Sequence, residues 1–153
     1  MAPLIRFGDC FAECESLSRT QWPPTLLELE VGGGMGPGFQ RITLPQSLQK
    51  LVLGGEFNGK FRRVQLPPRL QSLVFGRKYA QAICGRQSWP RTLKEMSFGA
   101  SYREDLGRIT WPSAIVDLRF EGMSEDDNFV KNCVWPKSVE RVHLRGVVVT
   151  RSP

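Results

Sequence analysis

Histidine is all but missing from this chain: His143 is the only one in 153 residues. That removes His-rich metal sites and most imidazole-based triads. Long apolar runs are missing too, and none approaches the roughly 20 residues a membrane-crossing helix needs. The opening MAPLIRFGDCF lacks the basic start and continuous apolar stretch of a secretory signal. Cysteine is sparse, at four. Cys10 and Cys14 have three residues between them and no third or fourth ligand nearby, which argues against zinc. Four unpaired thiols fit a reducing intracellular compartment.

The composition is otherwise that of a folded protein, with 41% apolar and 24% charged residues. Basic residues outnumber acidic ones, 21 to 15, for a formal net charge of +6. The 15 glycines and 11 prolines imply many turns and little room for long helices.

Those prolines are periodic. An aromatic residue or Leu precedes Pro at Trp22, Leu44, Leu66, Trp89, Trp111 and Trp135, at spacings of 22, 22, 23, 22 and 24 residues. With this marker as position zero, an aliphatic residue recurs at +4 (Leu26, Leu48, Leu70, Leu93, Ile115, Val139). Another recurs at +7 (Leu29, Leu51, Leu73, Met96, Leu118, Val142), and a larger apolar residue at +9 (Val31, Leu53, Phe75, Phe98, Phe120, Leu144). Gly follows at +10 in four units, and a bulky residue at +13 in Met35, Phe57, Tyr79 and Tyr102. Repeats of this length, each too small to close a core alone, mean a stacked solenoid.

Alternation of +7 and +9 with +6 and +8 predicts one strand per coil, half buried. Pro at +1 predicts a fixed corner before the strand, and Gly at +10 a sharp turn after it. The apolar −2 position (Ile42, Val64, Ile109, with Cys133) between polar neighbours predicts a second short inward-pointing strand. We read residues 1–153 as a single solenoid domain, mainly β with short parallel strands. Partial coil 1–21 precedes full coils 22–43, 44–65, 66–88, 89–110 and 111–134, and a terminal partial coil 135–153 follows. The unit LPQSLQKLVLGGEFNGKF resembles the FNIP repeat, a short member of the leucine-rich-repeat superfamily. The motif is best kept from Leu44 to Asn58. Trp replaces Leu at zero in four units, and Asn at +14 survives only as Asn58. The resemblance implies a right-handed solenoid with a protein-interaction role and no catalysis.

Equivalent positions of a solenoid stack into columns. Position −3 carries Arg19, Arg41, Arg63, Arg86 and Arg108, then Asn132. Aligned like charges repel, so this column is a candidate polyanion site, for nucleic acid or an anionic surface. Guanidinium groups that splay over the rings below are the alternative. Positions +6 and +8 form the outer face of the main sheet. There Val52, Val74, Ser72 and Ser97 make a weakly polar centre between charged flanks, the layout of a protein interface. The tryptophans interchange with Leu44 and Leu66, which assigns them to packing rather than to base stacking.

Catalysis finds no set of partners. Asp117 is placed beside His143 in the adjoining coil, but no Ser or Cys completes the group. The glycine-rich Gly32–Gly38 lacks the Lys-Ser/Thr and helix of a phosphate loop. Cys84 and Cys133 sit two coils apart, about 10 Å, too far for a disulfide. The acidic stretch from Glu125 to Asn128 reads as a solvated bulge in the longest unit. The expectation is a non-enzymatic protein–protein interaction scaffold, a subunit of a larger complex, with no cofactor and no metal. Polyanion binding is the alternative. At the ends, the apolar Val147, Val148 and Val149 are expected to be covered by a partner or by another copy. Failing that, they fold back against Trp135 and Val142.

Overall fold

The computed structural model describes residues 3–8, 19–33, 37–83 and 88–150. Cys10, Cys14, Cys84, Arg86, Met35 and part of Gly32–Gly38 lie outside the described residues.

One sheet organises the molecule. Its strands are β1 (Leu4–Phe7), β2 (Glu28–Val31), β3 (Lys50–Leu53), β4 (Ser72–Phe75), β5 (Glu95–Phe98), β6 (Asp117–Phe120), β7 (Arg141–Leu144) and β8 (Val147–Thr150). They lie side by side in chain order. β1 to β7 are parallel, with unbroken register: Leu29 pairs with Leu51, Leu51 with Leu73, Leu73 with Met96, Met96 with Leu118 and Leu118 with Val142. This +7 ladder is buried along its whole length, and so are the +4 and +9 ladders beside it. Each such Leu contributes roughly 1.5–3 kcal/mol by leaving water.

Between strands the coil is built from turns that recur at fixed positions. The Pro carbonyl at +1 accepts from the +4 amide in all six units, at 3.0 to 3.3 Å, for example Leu26 N to Pro23 O at 3.0 Å and Ile115 N to Pro112 O at 3.3 Å. The Gly carbonyl at +10 accepts from the +13 amide, as in Phe57 N to Gly54 O at 3.0 Å and Tyr79 N to Gly76 O at 3.2 Å. A third turn closes at +20, where Ile42 N meets Phe39 O, and Val64 N meets Phe61 O, both at 3.2 Å. The residue ending each turn is buried, so every corner inserts one apolar side chain into the core.

The third turn corrects one expectation. Ile42, Val64 and Ile109 are buried as the apolar −2 position implies, but they form no second strand. Their backbone groups are used locally, in turns and in short 3-10 segments at Pro37–Arg41 and Leu106–Arg108. Side chains lace this side together instead. Trp22 Nε1 donates to Thr43 O at 2.7 Å, and Trp89 Nε1 to Thr110 O at 2.6 Å. The Ser or Thr at +3 does the same elsewhere: Ser47 Oγ donates to Leu26 O at 2.6 Å and Thr92 Oγ1 to Leu70 O at 2.7 Å. Asn58 Oδ1 accepts from Ala80 N at 3.0 Å, stitching its loop to the following one.

Aromatic rings fill the centre of the stack. Phe75, Phe98 and Phe120 lie face to face at 5.0 Å intervals, with interplanar angles of 10° and 3°. Phe57, Tyr79 and Tyr102 form a second stack at 6.1 and 6.0 Å. The four tryptophans pack half-buried against this core, which supports the packing assignment.

Glycine at +10 has a different cause from the one expected. None of the described +10 glycines has a positive φ. What demands glycine is the preceding coil: a Cβ on Gly76 would run into the carbonyl of Gly54, and one on Gly99 into that of Gly76. Gly55, one position on, has nothing within 4 Å. Gly76→Ala should therefore cost about 1–3 kcal/mol by overpacking. Gly55→Ala should be neutral or gain up to about 1 kcal/mol through the unfolded chain. Paired urea titrations check this contrast of sign. In the same assay Leu73→Ala, at the middle of the ladder, should lose about 2–5 kcal/mol.

Candidate functional site

The parallel register carries the +6 and +8 side chains to one solvent face. Val52 and Val74 are rung partners, and Ser72 and Ser97 adjoin them; all four are partly exposed. To one side, Arg6 Nε lies 2.8 Å from Glu30 Oε2, and Lys50 Nζ lies 3.9 Å from Glu28. A depression of about 240 Å³ runs along the strand starts between Glu28, Lys50, Ser72 and Glu95.

On the other side stands a cluster that spacing alone showed only in part. Asp117 is 2% exposed although it belongs to the outward +6 row. Three basic side chains close over it. Arg141 Nε donates to Oδ2 at 2.8 Å, Arg119 Nε to Oδ1 at 3.0 Å, and His143 Nε2 lies 3.2 Å from Oδ2. Burial pushes this carboxyl's pKa up, but the three hydrogen bonds outweigh it and hold the group below the ordinary carboxylate range. The expected neighbourhood of Asp117 and His143 is realised, as an ionic latch across β6 and β7. The rung partners of His143 are Arg119 and Val148, neither of them a nucleophile.

The arginine column is spread over turns rather than strands. Arg19, Arg41, Arg63 and Arg108 are all exposed, while Arg86 lies outside the described residues. Arg108 is 3.4 Å from the carboxylate of Asp105. Arg63 has a φ of 71°, unusual for a residue with a Cβ. Beside it open two adjoining clefts that sequence reading missed. One, of about 390 Å³, is lined by Gln40, Lys60, Arg62, Arg63, Gln81 and Ala82. The other, of about 360 Å³, shares Gln40 and Arg63 and adds Arg41.

Two carboxylates of the acidic stretch have partners within the chain, Asp126 with Lys131 at 3.9 Å and Asp127 with Ser124. Asp127 Oδ2 accepts from Ser124 N at 2.6 Å, and that bond first of all holds its pKa low. Among the described residues no group of three His, Cys, Asp or Glu could hold a metal ion.

At the chain's end Arg145 and Gly146, with φ of 46° and 82°, make the two-residue hairpin turn that suits the twist of paired strands. β8 thereby folds back antiparallel on β7 and pairs Val149 with Val142. Val149 is half-buried against the core, whereas Val147 and Val148 remain 58% and 48% exposed. The fold-back alternative holds for the strand and for one valine of the three.

The latch has a pH signature. Its folded pKa is depressed, so its stabilisation is complete above the unfolded value of about 3.9 and is lost as pH falls through the lower folded value. Asp117→Asn should lower stability at pH 7 by about 1–3 kcal/mol. The gap between parent and variant should close below about pH 4 in thermal melts.

Comparison with known proteins agrees with this architecture. Residues 40–78 match the FNIP Repeat family. No curated protein matches the sequence. Among solved structures the chain is similar to CroV588, described as a novel circular LRR protein, with a TM-score of 0.62 and 22% identity. That likeness covers 92% of this chain and 23% of the circular one, so the chain spans about a quarter of its length. Among the described residues no helix is long and apolar enough to cross a membrane. The family motif falls on the most regular coils, and the coils stack as in a leucine-rich-repeat structure: the chain is a repeat solenoid of leucine-rich-repeat-like fold that carries an FNIP Repeat match over residues 40–78.

Proposed function

We propose that this solenoid is a non-enzymatic docking module that binds a protein partner on the outer face of its sheet. The observation that carries the reading is the placement of Val52 and Val74 as neighbouring rungs, half-exposed, with Ser72 and Ser97 beside them. Charges on both flanks are already paired within the chain, at Arg6–Glu30 on one side and around Asp117 on the other. A partner therefore needs to desolvate few unpaired charges to reach the centre, where exclusion of water has most effect.

The occupant that fits is an apolar protein segment with a basic group to one side. Glu95 borders the centre and makes no ion pair within 4 Å among the described residues, so a Lys or Arg of the partner complements it. Leucine-rich-repeat proteins commonly serve in protein–protein interaction, which agrees with this reading.

A photo-crosslinking amino acid at position 74 should capture one discrete protein in extract of the producing cells. The same probe at Arg69, away from the sheet, should not. Adding Val52→Asp should abolish the capture while costing only about 1 kcal/mol of stability, the usual span for exposed strand positions. Equal capture from both positions, or capture indifferent to Val52→Asp, would overturn the reading.

A further inference from the structure

Acidic residues are distributed very unevenly. From Val31 to Lys94 the sequence holds eleven Lys and Arg and one acid, Glu56; the remainder holds ten against fourteen. Glu56 is neutralised locally, 2.5 Å from Lys78 Nζ and 3.4 Å from Arg77. Its pKa is lowered, first of all by the Lys78 hydrogen bond. The middle coils therefore have no spare carboxylate for their other cations.

Four of those cations converge on the two adjoining clefts: Arg41, Lys60, Arg62 and Arg63. None has a carboxylate within 4 Å among the described residues. On the sheet face, by contrast, Arg6, Lys50, Arg119 and Arg141 all have one. Like charges lining shared clefts repel, and a fold that keeps them without a counter-charge leaves that role to something outside the chain. Gln40 Nε2 donates to Lys60 O at 3.1 Å, fixing one wall to the next. Arg63 is held in the left-handed region, which a residue with a Cβ seldom adopts.

We propose that these clefts bind a small polyphosphate, an anion with two or more linked phosphate groups. Arginine forks match phosphate oxygens two at a time, and Lys60 supplies a point charge. Volumes near 390 and 360 Å³ fall at the lower end of the small-ligand range. The tryptophans that could stack bases are packed against the core. This site lies apart from the protein-docking face and does not rest on that reading.

Isothermal titration calorimetry with tripolyphosphate on the intact chain tests it. One molecule should bind per chain, and orthophosphate should bind at least about tenfold more weakly, since it engages fewer of the cations. Arg62→Gln with Arg63→Gln should reduce affinity about tenfold or more. Arg69→Gln with Arg91→Gln removes the same net charge outside the clefts and should change it less than about twofold. Lys60→Gln alone, at an exposed side chain that leaves the fold untouched, should weaken binding about fivefold. Equal losses in the two double variants would overturn the site in favour of diffuse charge. So would a single-stranded DNA 12-mer that binds while tripolyphosphate does not, or the absence of heat at low salt.

Discussion

Everything in this molecule has to tolerate a copy of itself about 4.8 Å away, the distance fixed by hydrogen bonding between neighbouring strands. Apolar side chains gain from that rule. The Leu29-to-Val142 ladder and the Phe75, Phe98 and Phe120 stack bury each member against its equivalents above and below. Backbone that bends inward against a neighbouring coil cannot carry a Cβ, which is why Gly76 and Gly99 stand at +10. In coil 111–134 the pattern shifts by one residue: Glu121 occupies +10 and Gly122 takes the crowded place, where a Cβ would meet the carbonyl of Ala100. The fold enforces the glycine, not its index in the repeat.

The same interval sorts the charges. Within the sheet, side chains on successive rungs are held parallel and close, so a column of one sign is untenable there. Three rungs of the face accordingly oppose unlike charges: Arg6 against Glu30, Glu28 against Lys50 and Asp117 against Arg141. The like-charged rung of Glu95 against Asp117 is relieved by the basic side chains that close over Asp117. On the turn side the backbone is not laddered, and guanidinium groups can splay. That is where the like-charged residues accumulate, and where clefts form between coils. Repulsion is tolerated on one side of the coil and largely cancelled on the other, which separates the proposed protein-docking surface from the proposed anion site.

Sequence periodicity made the ladders readable because a buried apolar residue at a fixed spacing has one physical explanation. Strand positions and the buried +4, +7 and +9 columns followed. The second strand did not, because an apolar residue between two polar ones satisfies an inward-pointing turn as well as a strand. Only the bonds from Ile42 N to Phe39 O and from Val64 N to Phe61 O distinguish the two. The burial of Asp117 was hidden for a related reason: it depends on three side chains from two strands converging, and no spacing records convergence. The basic clefts left a trace in the shortage of acids between Val31 and Lys94, a signal of composition along the chain rather than of periodic position.

Irregularity in the last two coils shows what the interval constrains and what it leaves free. The unit from Trp111 is 24 residues long, and its additional length is spent on the short helix α1 (Asn128–Lys131) and on Val134, 88% exposed. Strand register is unaffected, since β6 and β7 pair as every earlier pair does. The indole of Trp111 does feel it: the Trp22 and Trp89 side chains reach a carbonyl 21 residues on, whereas Trp111 Nε1 meets no such carbonyl among the described residues. Beyond β7, Arg145 and Gly146 reverse the chain, and β8 runs against the direction of all seven strands before it. A further coil of this repeat could not add to β7 in parallel, because β8 already occupies that edge. The hairpin thus closes the parallel ladder using hydrogen bonds the ladder would otherwise have left open, with Val149 as the one side chain it commits to the core.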